Sequence, residues 1–219
     1  MRAAIALPRR AVVLVCAALS AAAFVPSAGA AAPACRHLIS DPRGDVDSLG
    51  SPPLVDDQSL VDLVYVDLKT DKRNVTASFA VVDIDPETTT SPLRHSFVVY
   101  FGSQGRRYAL QASREVDGDI YTAWVVTAGQ DYSDSPGGYA WAMSGLGAVT
   151  GSFDGARNVV RVVAPLELFA ATGGLKGLLS EVHAMSWTGA GAAGAAAEGS
   201  DDMTDRVRGY RMGATSCAG

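Results

Sequence analysis

The stretch "LVDLVYVDLKTDKRNVTASFAVVDI", residues 60–84, decides the fold class. Two segments of alternating residues flank the turn-forming run "TDKRN". Alternation with a period of two is typical of β-strands, and two such segments around a turn predict a β-hairpin. In the first strand the alternation predicts one shared face for Leu60, Asp62, Val64, Val66 and Leu68. In the second strand it predicts one shared face for Val75, Ala77, Phe79 and Val81.

The same period continues along most of the chain. Residues 94–102 and 106–114 predict a second hairpin across "SQG", and residues 120–128 predict a further strand after the "DGD" turn. The stretch "AVTGSFDGARNVVRVVAP", residues 148–165, predicts a strand, a turn at Asp154-Gly155 and a second strand. We expect the last strand over residues 179–188 and at most one short helix, at "PLELFAA".

Eight or nine short strands with Gly, Asp and Pro between them predict an all-β fold. We expect an antiparallel, jelly-roll-like β-sandwich over residues 31–219, because such spacing is more typical of sandwiches than of barrels. Residues 189–202, "GAGAAGAAAEGSDD", are small and glycine-rich and supply nothing to a core. They predict a flexible surface loop.

The first 30 residues have the pattern of a signal peptide: three arginines, an apolar segment and a small-residue cleavage site at residues 28–30. We therefore expect a secreted protein that keeps no membrane segment after cleavage. Without residues 1–30 the chain has 15 basic and 23 acidic residues, a net charge of −8. This charge argues against a nucleic-acid or anionic-lipid partner. We expect a monomer.

Cysteine placement agrees with export, since only Cys35 and Cys217 follow the predicted signal peptide. In an oxidising compartment two such cysteines are expected to pair, and this disulfide would join the two ends of the domain. Two unpaired thiols are the alternative.

Four motifs resemble those of a known group of proteins: "DPRGD", "LVDLVYVDLKTDKRNVTASFAVVD", "NVVRVVAPLEL" and "EVHAMSW". Together they resemble secreted bacterial DOMON-like and family-nine carbohydrate-binding-module-like sandwiches. That resemblance implies a β-sandwich and a binding role, since the group includes haem- and sugar-binding domains that are generally not catalysts. The function we expect is a secreted, non-catalytic binding or accessory module for a glycan or small molecule.

The acidic stretch "DPRGDVD", residues 41–47, admits three interpretations. Carboxylates around a glycine suit calcium, which takes six to eight oxygen ligands. On this interpretation Ca²⁺ is bound by Asp41, Asp45 and Asp47, joined by Asp201 and Asp202 from the other end of the chain. The alternatives are an ordinary solvated turn and an Arg-Gly-Asp adhesion signal.

Aromatic side chains support a binding role, because their faces stack on sugar rings and other flat ligands. Tyr132, Tyr139 and Trp141 flank the loop "SDSPGG" and are the predicted ligand-binding residues. Tyr121 and Trp124 have opposite parity on one strand, so only one of them faces the core. We expect that residue to be Trp124.

Catalytic signatures are missing from the sequence: it has no GxSxG, HExxH or glycine-rich phosphate-loop motif. His95 and His183 share strand parity with large apolar residues, which predicts half-buried structural histidines. The alternative function is a secreted hydrolase with a carboxylate pair or a Ser/His/Asp site assembled across the fold.

Overall fold

The computed structural model describes residues 37–49, 59–84, 94–115, 117–130, 140–189, 199–203 and 207–214. The chain divides into two compact units, Met1–Ala34 and Cys35–Gly219, and every described residue belongs to the second. Among the described residues, no helix has the length and hydropathy needed to cross a bilayer.

The fold is an antiparallel β-sandwich, as the sequence predicts. The five-stranded sheet has the order β1 (Ile39–Ser40), β3 (Leu63–Thr70), β4 (Asn74–Val81), β10 (Val159–Pro165), β9 (Thr150–Asp154). The eight-stranded sheet has the order β2 (Asp47–Leu49), β12 (Gly199–Met203), β11 (Leu178–Gly189), β5 (Arg94–Ser103), β6 (Arg106–Glu115), β7 (Gly118–Gln130), β8 (Ala140–Ala148). Strand β13 (Val207–Arg211) pairs with β11 beside β12.

The hairpin of β3 and β4 forms at the predicted position. Its turn is stabilised by the Asp71 carboxylate, which accepts hydrogen bonds from the backbone N–H groups of Arg73 (2.6 Å) and Asn74 (2.8 Å). These two bonds lower the pKa of Asp71, since they favour the ionised carboxylate. The predicted "SQG" hairpin also forms, with Gln104 and Gly105 at φ values of 52° and 72°, as a tight two-residue turn requires.

The alternation of β4 is confirmed, and that of β3 is wrong in its first half. Val75, Ala77, Phe79 and Val81 are all buried in the core. In β3 the core residues are Leu63, Val66 and Leu68, because the pairing with β4 shifts register between Leu63 and Tyr65. Such a bulge adds one residue to a strand and moves the following side chains to the other face.

Aromatic rings from both layers fill the core between the sheets. Phe79 of the five-stranded sheet lies 6.0 Å from Phe97 of the other, measured between ring centroids. The predicted short helix is a 3-10 helix, Leu166–Thr172, and it places Phe169 edge-on against Tyr108 at 5.4 Å. The helix begins after Pro165 and ends at Gly173, whose φ of 101° suits glycine.

Two predictions about the C-terminal part are wrong. Strand β11 is not the last, and the described residues form 13 strands instead of eight or nine. Gly199–Met203, partly inside the predicted loop 189–202, pairs with both β11 and β2. A strand between two neighbours gains its backbone hydrogen bonds whatever its side chains are, so composition alone missed it. Residues 190–198 lie outside the described residues.

Candidate functional site

The eight-stranded sheet carries apolar side chains on the face that points away from the sandwich core. Because successive side chains of a strand point to opposite faces, the residues that alternate with the core residues of β5, β6, β7 and β11 share this outer face. We call the following group the outer patch: Val98, Tyr100, Ala109, Trp124, Val126, Met185 and Trp187. It is a second apolar cluster, separate from the main core.

Strand register aligns one row of this face across five strands. The row consists of His183, Tyr100, Ala109, Trp124 and Gly145. Small residues therefore lie on both sides of the Trp124 indole. A Cβ atom at Gly145 would lie 3.7 Å from Cζ3 of Trp124, so the benzo edge of the indole extends over β8 at Gly145.

The indole of Trp124 is fixed from the other side by a hydrogen bond. Its Nε1 donates to Oε1 of Gln111 at 3.0 Å, and Nε2 of Gln111 donates to Oγ of Ser113 at 3.2 Å. The Ser113 hydroxyl lies 3.0 Å from that of Ser96. Because its N–H is satisfied within the protein, the accessible part of Trp124 is the half-buried ring and not a polar atom.

Neighbouring side chains extend this surface along β7. Thr122 is half-buried, and Ile120 is 46% exposed. Both have the same strand parity as Trp124 and therefore share its face. The accessible part of the outer face thus combines an immobilised indole, an amide at Gln111 and a hydroxyl at Thr122.

Tyr121, and not Trp124, faces the core, so the sequence prediction for this pair is wrong. The Tyr121 ring packs against the main core, with its centroid 6.1 Å from that of Phe153. Its hydroxyl donates to Oδ2 of Asp119 at 3.3 Å. Burial, followed by the nearby charge of Asp119, raises the pKa of Tyr121 to about 12. The parity argument was correct, but it could not say which parity belongs to the core.

The side chains of the sequence-predicted ligand residues are not among those that the structure describes. Tyr132 and Tyr139 lie outside the described residues, and Trp141 is described only by its backbone, which pairs with Gly129 in β7 and β8. The outer patch was missed because the clustered aromatics were assigned to a loop. The available signal was the shared parity of Trp124 with Thr122 and Val126.

Both histidines of the eight-stranded sheet are buried. His95 has the same strand parity as the core residues Phe97 and Val99 of β5, while His183 lies on the outer face and stacks on Tyr100 with centroids 5.1 Å apart. Nδ1 of His183 donates to the carbonyl oxygen of Glu181 at 3.1 Å. The His183 ring therefore borders the outer patch beside Tyr100.

The acidic stretch 41–47 begins as a turn that packs on β3. The Asp41 N–H donates to the carbonyl of Val64 (3.0 Å), and the Gly44 N–H donates to Oδ2 of Asp62 (2.8 Å). Gly44 has a φ of 79°, in the region that favours glycine. Asp62 is only 6% exposed, whereas Asp45 is exposed. Asp62, which the calcium prediction omits, therefore anchors the turn.

The calcium ligands were predicted from two distant segments, and the backbone brings these segments together. Strand β2 pairs with β12 so that Asp47 lies opposite Asp201. The side chains of Asp47, Asp201 and Asp202 are not among those described. Among the described side chains, no group of three or more His, Cys, Asp or Glu residues could hold a metal ion. Calcium binding stays a prediction.

The charge state of Asp62 makes stability depend on pH. Burial raises the pKa of Asp62 above 3.8, and the charge of Asp45 adds to this effect, while the Gly44 hydrogen bond and Arg43 oppose it. The folded protein therefore binds this proton more tightly than the unfolded chain. The contribution of Asp62 to the free energy of unfolding is largest at low pH and falls as the pH rises through the folded-state pKa.

Asp62→Asn, which keeps an oxygen for the Gly44 N–H, is expected to stabilise the protein relative to wild type more at pH 7 than near pH 4. Thermal unfolding followed by circular dichroism at both pH values measures this difference. Asp71→Asn is the control of opposite sign, because the pKa of Asp71 is lowered and its contribution is lost as the pH falls. Wild-type and Asp62→Asn stability curves that run parallel from pH 4 to pH 7 would refute this assignment.

A histidine that the sequence reasoning passed over ties the N-terminal segment to β3. Nδ1 of His37 lies 2.7 Å from Oδ2 of the buried Asp67, and the Leu38 N–H donates to Oδ1 of Asp67 at 2.8 Å. The imidazole stacks on the Tyr65 ring with centroids 3.6 Å apart. These contacts cover the five-stranded sheet where β1 is only two residues long.

Comparison of the chain with protein-family models, with curated proteins and with solved structures yields no match. The resemblance to DOMON-like and family-nine carbohydrate-binding-module-like sandwiches therefore stays a prediction.

Proposed function

We propose that the protein is a non-catalytic binding module and that it binds carbohydrate on the outer face of its eight-stranded sheet. The observation that carries this proposal is the position of Trp124. Its indole extends over Gly145, its N–H is bonded to Gln111, and part of its ring faces solvent. A sugar ring stacks on an aromatic face through its C–H groups and needs polar groups beside that face to fix its orientation.

Rigidity favours Trp124 as a stacking platform. A ligand that binds to a side chain already held in one rotamer does not have to immobilise it, so less conformational entropy is lost on binding. Gln111 has the same role for the polar part, because its amide is held at both ends, by Trp124 and by Ser113. Thr122, in the next position of β7 on this face, supplies a hydroxyl.

The negative charge of the chain suits a neutral ligand better than an anionic one. The full sequence has 23 acidic and 18 basic residues. On the outer face Arg107 and Glu181 form an ion pair at 2.7 Å, so these two charges offset each other. A neutral glycan therefore fits this surface better than a polyanionic one. The proposed export of the protein would bring it into contact with such glycans.

Substitution of Trp124 tests the proposed function. The purified protein is incubated with insoluble cellulose, chitin and xylan, and the bound fraction is measured over a range of protein concentrations. We expect binding to at least one of them and a loss in Trp124→Ala of about 1–3 kcal/mol, or roughly five- to 150-fold in affinity. Trp124→Phe, which keeps an aromatic face, should lose less.

Trp141→Ala tests the sequence-predicted site in the same assay, because it removes the tryptophan of that site. Circular dichroism of each variant checks that the fold is retained. Equal binding by wild type and a folded Trp124→Ala variant would contradict the proposed site. Turnover of a glycoside or ester substrate that one point substitution abolishes would favour the hydrolase alternative.

A further inference from the structure

The described sheets end in four strands, and three of these are short. β1 has two residues, β2 has three and β9 has five, and both β2 and β9 contain an aspartate, Asp47 and Asp154 respectively. β13, which lies beside β12 along β11, has five residues and two arginines. Short length and charge are the usual devices that stop an edge strand from pairing with another chain.

β8 has neither device. It is nine residues long and ends the eight-stranded sheet. Residues 140–153, "AWAMSGLGAVTGSF", are 14 residues without a charge or a proline, in a chain with 19% charged residues. Ser144, Gly145 and Ala148 are exposed. In the part of the chain that the structure describes, β8 pairs only with β7 and ends the sheet.

We propose that β8 pairs antiparallel with β8 of a second copy of this chain, joining two eight-stranded sheets into one. Full overlap of two nine-residue strands about a two-fold axis places the central residue, Ser144, opposite the same residue of the second copy. A charge at the centre of a self-paired strand would face the same charge of the second copy, because the central residue lies on the two-fold axis. The uncharged sequence of β8 removes that repulsion, which favours a second copy over a foreign peptide as the partner.

The expected dimer is weak and concentration-dependent. One nine-residue strand pair buries less surface than the roughly 800 Å² per partner of a standard stable interface. Edge pairing lies in the plane of the sheet and leaves the outer face open. Trp124 lies on β7, next to β8, so the binding faces of the two copies would adjoin. The pairing does not depend on the proposed carbohydrate binding, and either can fail without the other.

Sedimentation velocity of the full chain over a wide range of concentrations tests this inference. We expect a monomer–dimer equilibrium in wild type, in place of the monomer that the sequence predicts. Ser144→Lys should weaken it about tenfold or more, because two ammonium groups then face each other at the centre of the strand pair. Ser40→Lys places the same charge on an exposed residue of the two-residue edge strand β1 and should leave the equilibrium unchanged.

A charge swap identifies the contact as strand to strand. Ser144→Glu alone should weaken the dimer in the same way, and mixing it with Ser144→Lys should restore the dimer, because opposite charges then meet. A wild-type chain that is monomeric at every concentration overturns the inference, whether or not a foreign peptide binds to β8. So does a dimer that Ser144→Lys leaves intact, or two charged variants that do not associate when mixed.

Discussion

Gly151→Ala is expected to destabilise the protein by about 3 kcal/mol or more, because both sides of this glycine are filled. A Cβ atom there would lie within 3.0 Å of the Tyr121 ring and of the Arg161 carbonyl oxygen, a separation that real Cβ atoms essentially never show. The Arg161 carbonyl belongs to the backbone of the neighbouring strand β10, and it cannot move without breaking the β9–β10 pairing.

Tyr121 cannot retreat easily either. Its hydroxyl donates to Asp119, which also accepts hydrogen bonds from Nε and Nη2 of Arg114 at 2.9 and 3.3 Å. The Arg114 guanidinium lies 4.2 Å from the centroid of the Phe153 ring in the opposite sheet. Moving Tyr121 therefore disturbs a polar group that joins the two sheets at this end of the sandwich.

Thermal unfolding measures this effect. At about 2–4 °C per kcal/mol for a chain of this size, Gly151→Ala should lower Tm by roughly 6–12 °C. Gly145→Ala is the matched control in β8, since its Cβ would have only an ordinary contact of 3.7 Å with Trp124. A Gly151→Ala variant that unfolds at the wild-type temperature, as the control does, would contradict the packing of Tyr121 on Gly151.

Reduction of a Cys35–Cys217 disulfide is the second large effect that we expect. Both cysteines lie outside the described residues, so the pairing stays a prediction. Its support comes from the described residues that flank them. His37 bonds to Asp67 on β3, and the Gly213 N–H donates at 2.5 Å to Oγ1 of Thr70 on the same strand. The Tyr210 hydroxyl also contacts Thr70, because it accepts a hydrogen bond from the Thr70 N–H at 3.0 Å.

These contacts hold the N-terminal segment, at His37, and the C-terminal segment, at Gly213, near the same end of β3. Cys35 is two residues before His37, and Cys217 is three residues after Ala214. At about 3.4 Å per extended residue, both cysteines can reach a common point near Thr70. A disulfide that closes so long a loop stabilises by about 2–5 kcal/mol.

Non-reducing mass spectrometry of the protein produced in an oxidising compartment should therefore give a mass about two daltons below that of the reduced protein. Reduction, Cys35→Ser, Cys217→Ser and the double variant should all lower Tm by the same amount, because each removes the same bond. Quantitative thiol labelling of both Cys35 and Cys217 in the native protein would contradict the pairing.

Local pattern predicted those parts of the fold that are fixed by residues near one another in sequence. The hairpin of β3 and β4 follows from alternation and from Asp71, and the turn at Gln104-Gly105 follows from its glycine. Strand β12 was missed because its place in the sheet depends on pairing with β11 and β2, which are distant in sequence. The bulge in β3 likewise leaves no mark in the alternation.

The candidate site was harder to predict than the fold. Parity placed Trp124 and Thr122 on one face, but a strand sequence does not say which face is covered by the second sheet. The Asp62 anchor and the His37–Asp67 pair were missed for the same reason. The first joins residues 18 positions apart, and the second joins residues 30 positions apart. Such pairs depend on tertiary packing and not on spacing.

Trp124 as the ligand-stacking residue is the central claim, and an NMR titration of the indole N–H groups tests it most directly. The chain has three tryptophans, so a ¹⁵N-labelled protein gives one indole cross-peak for each, assigned with single Trp→Phe variants. The titrant is a soluble oligosaccharide of the polysaccharide that binds the protein. We predict that the Trp124 cross-peak shifts progressively and saturably, because the sugar stacks on its ring beside Gln111. Movement of the Trp141 cross-peak while that of Trp124 stays in place would contradict the account.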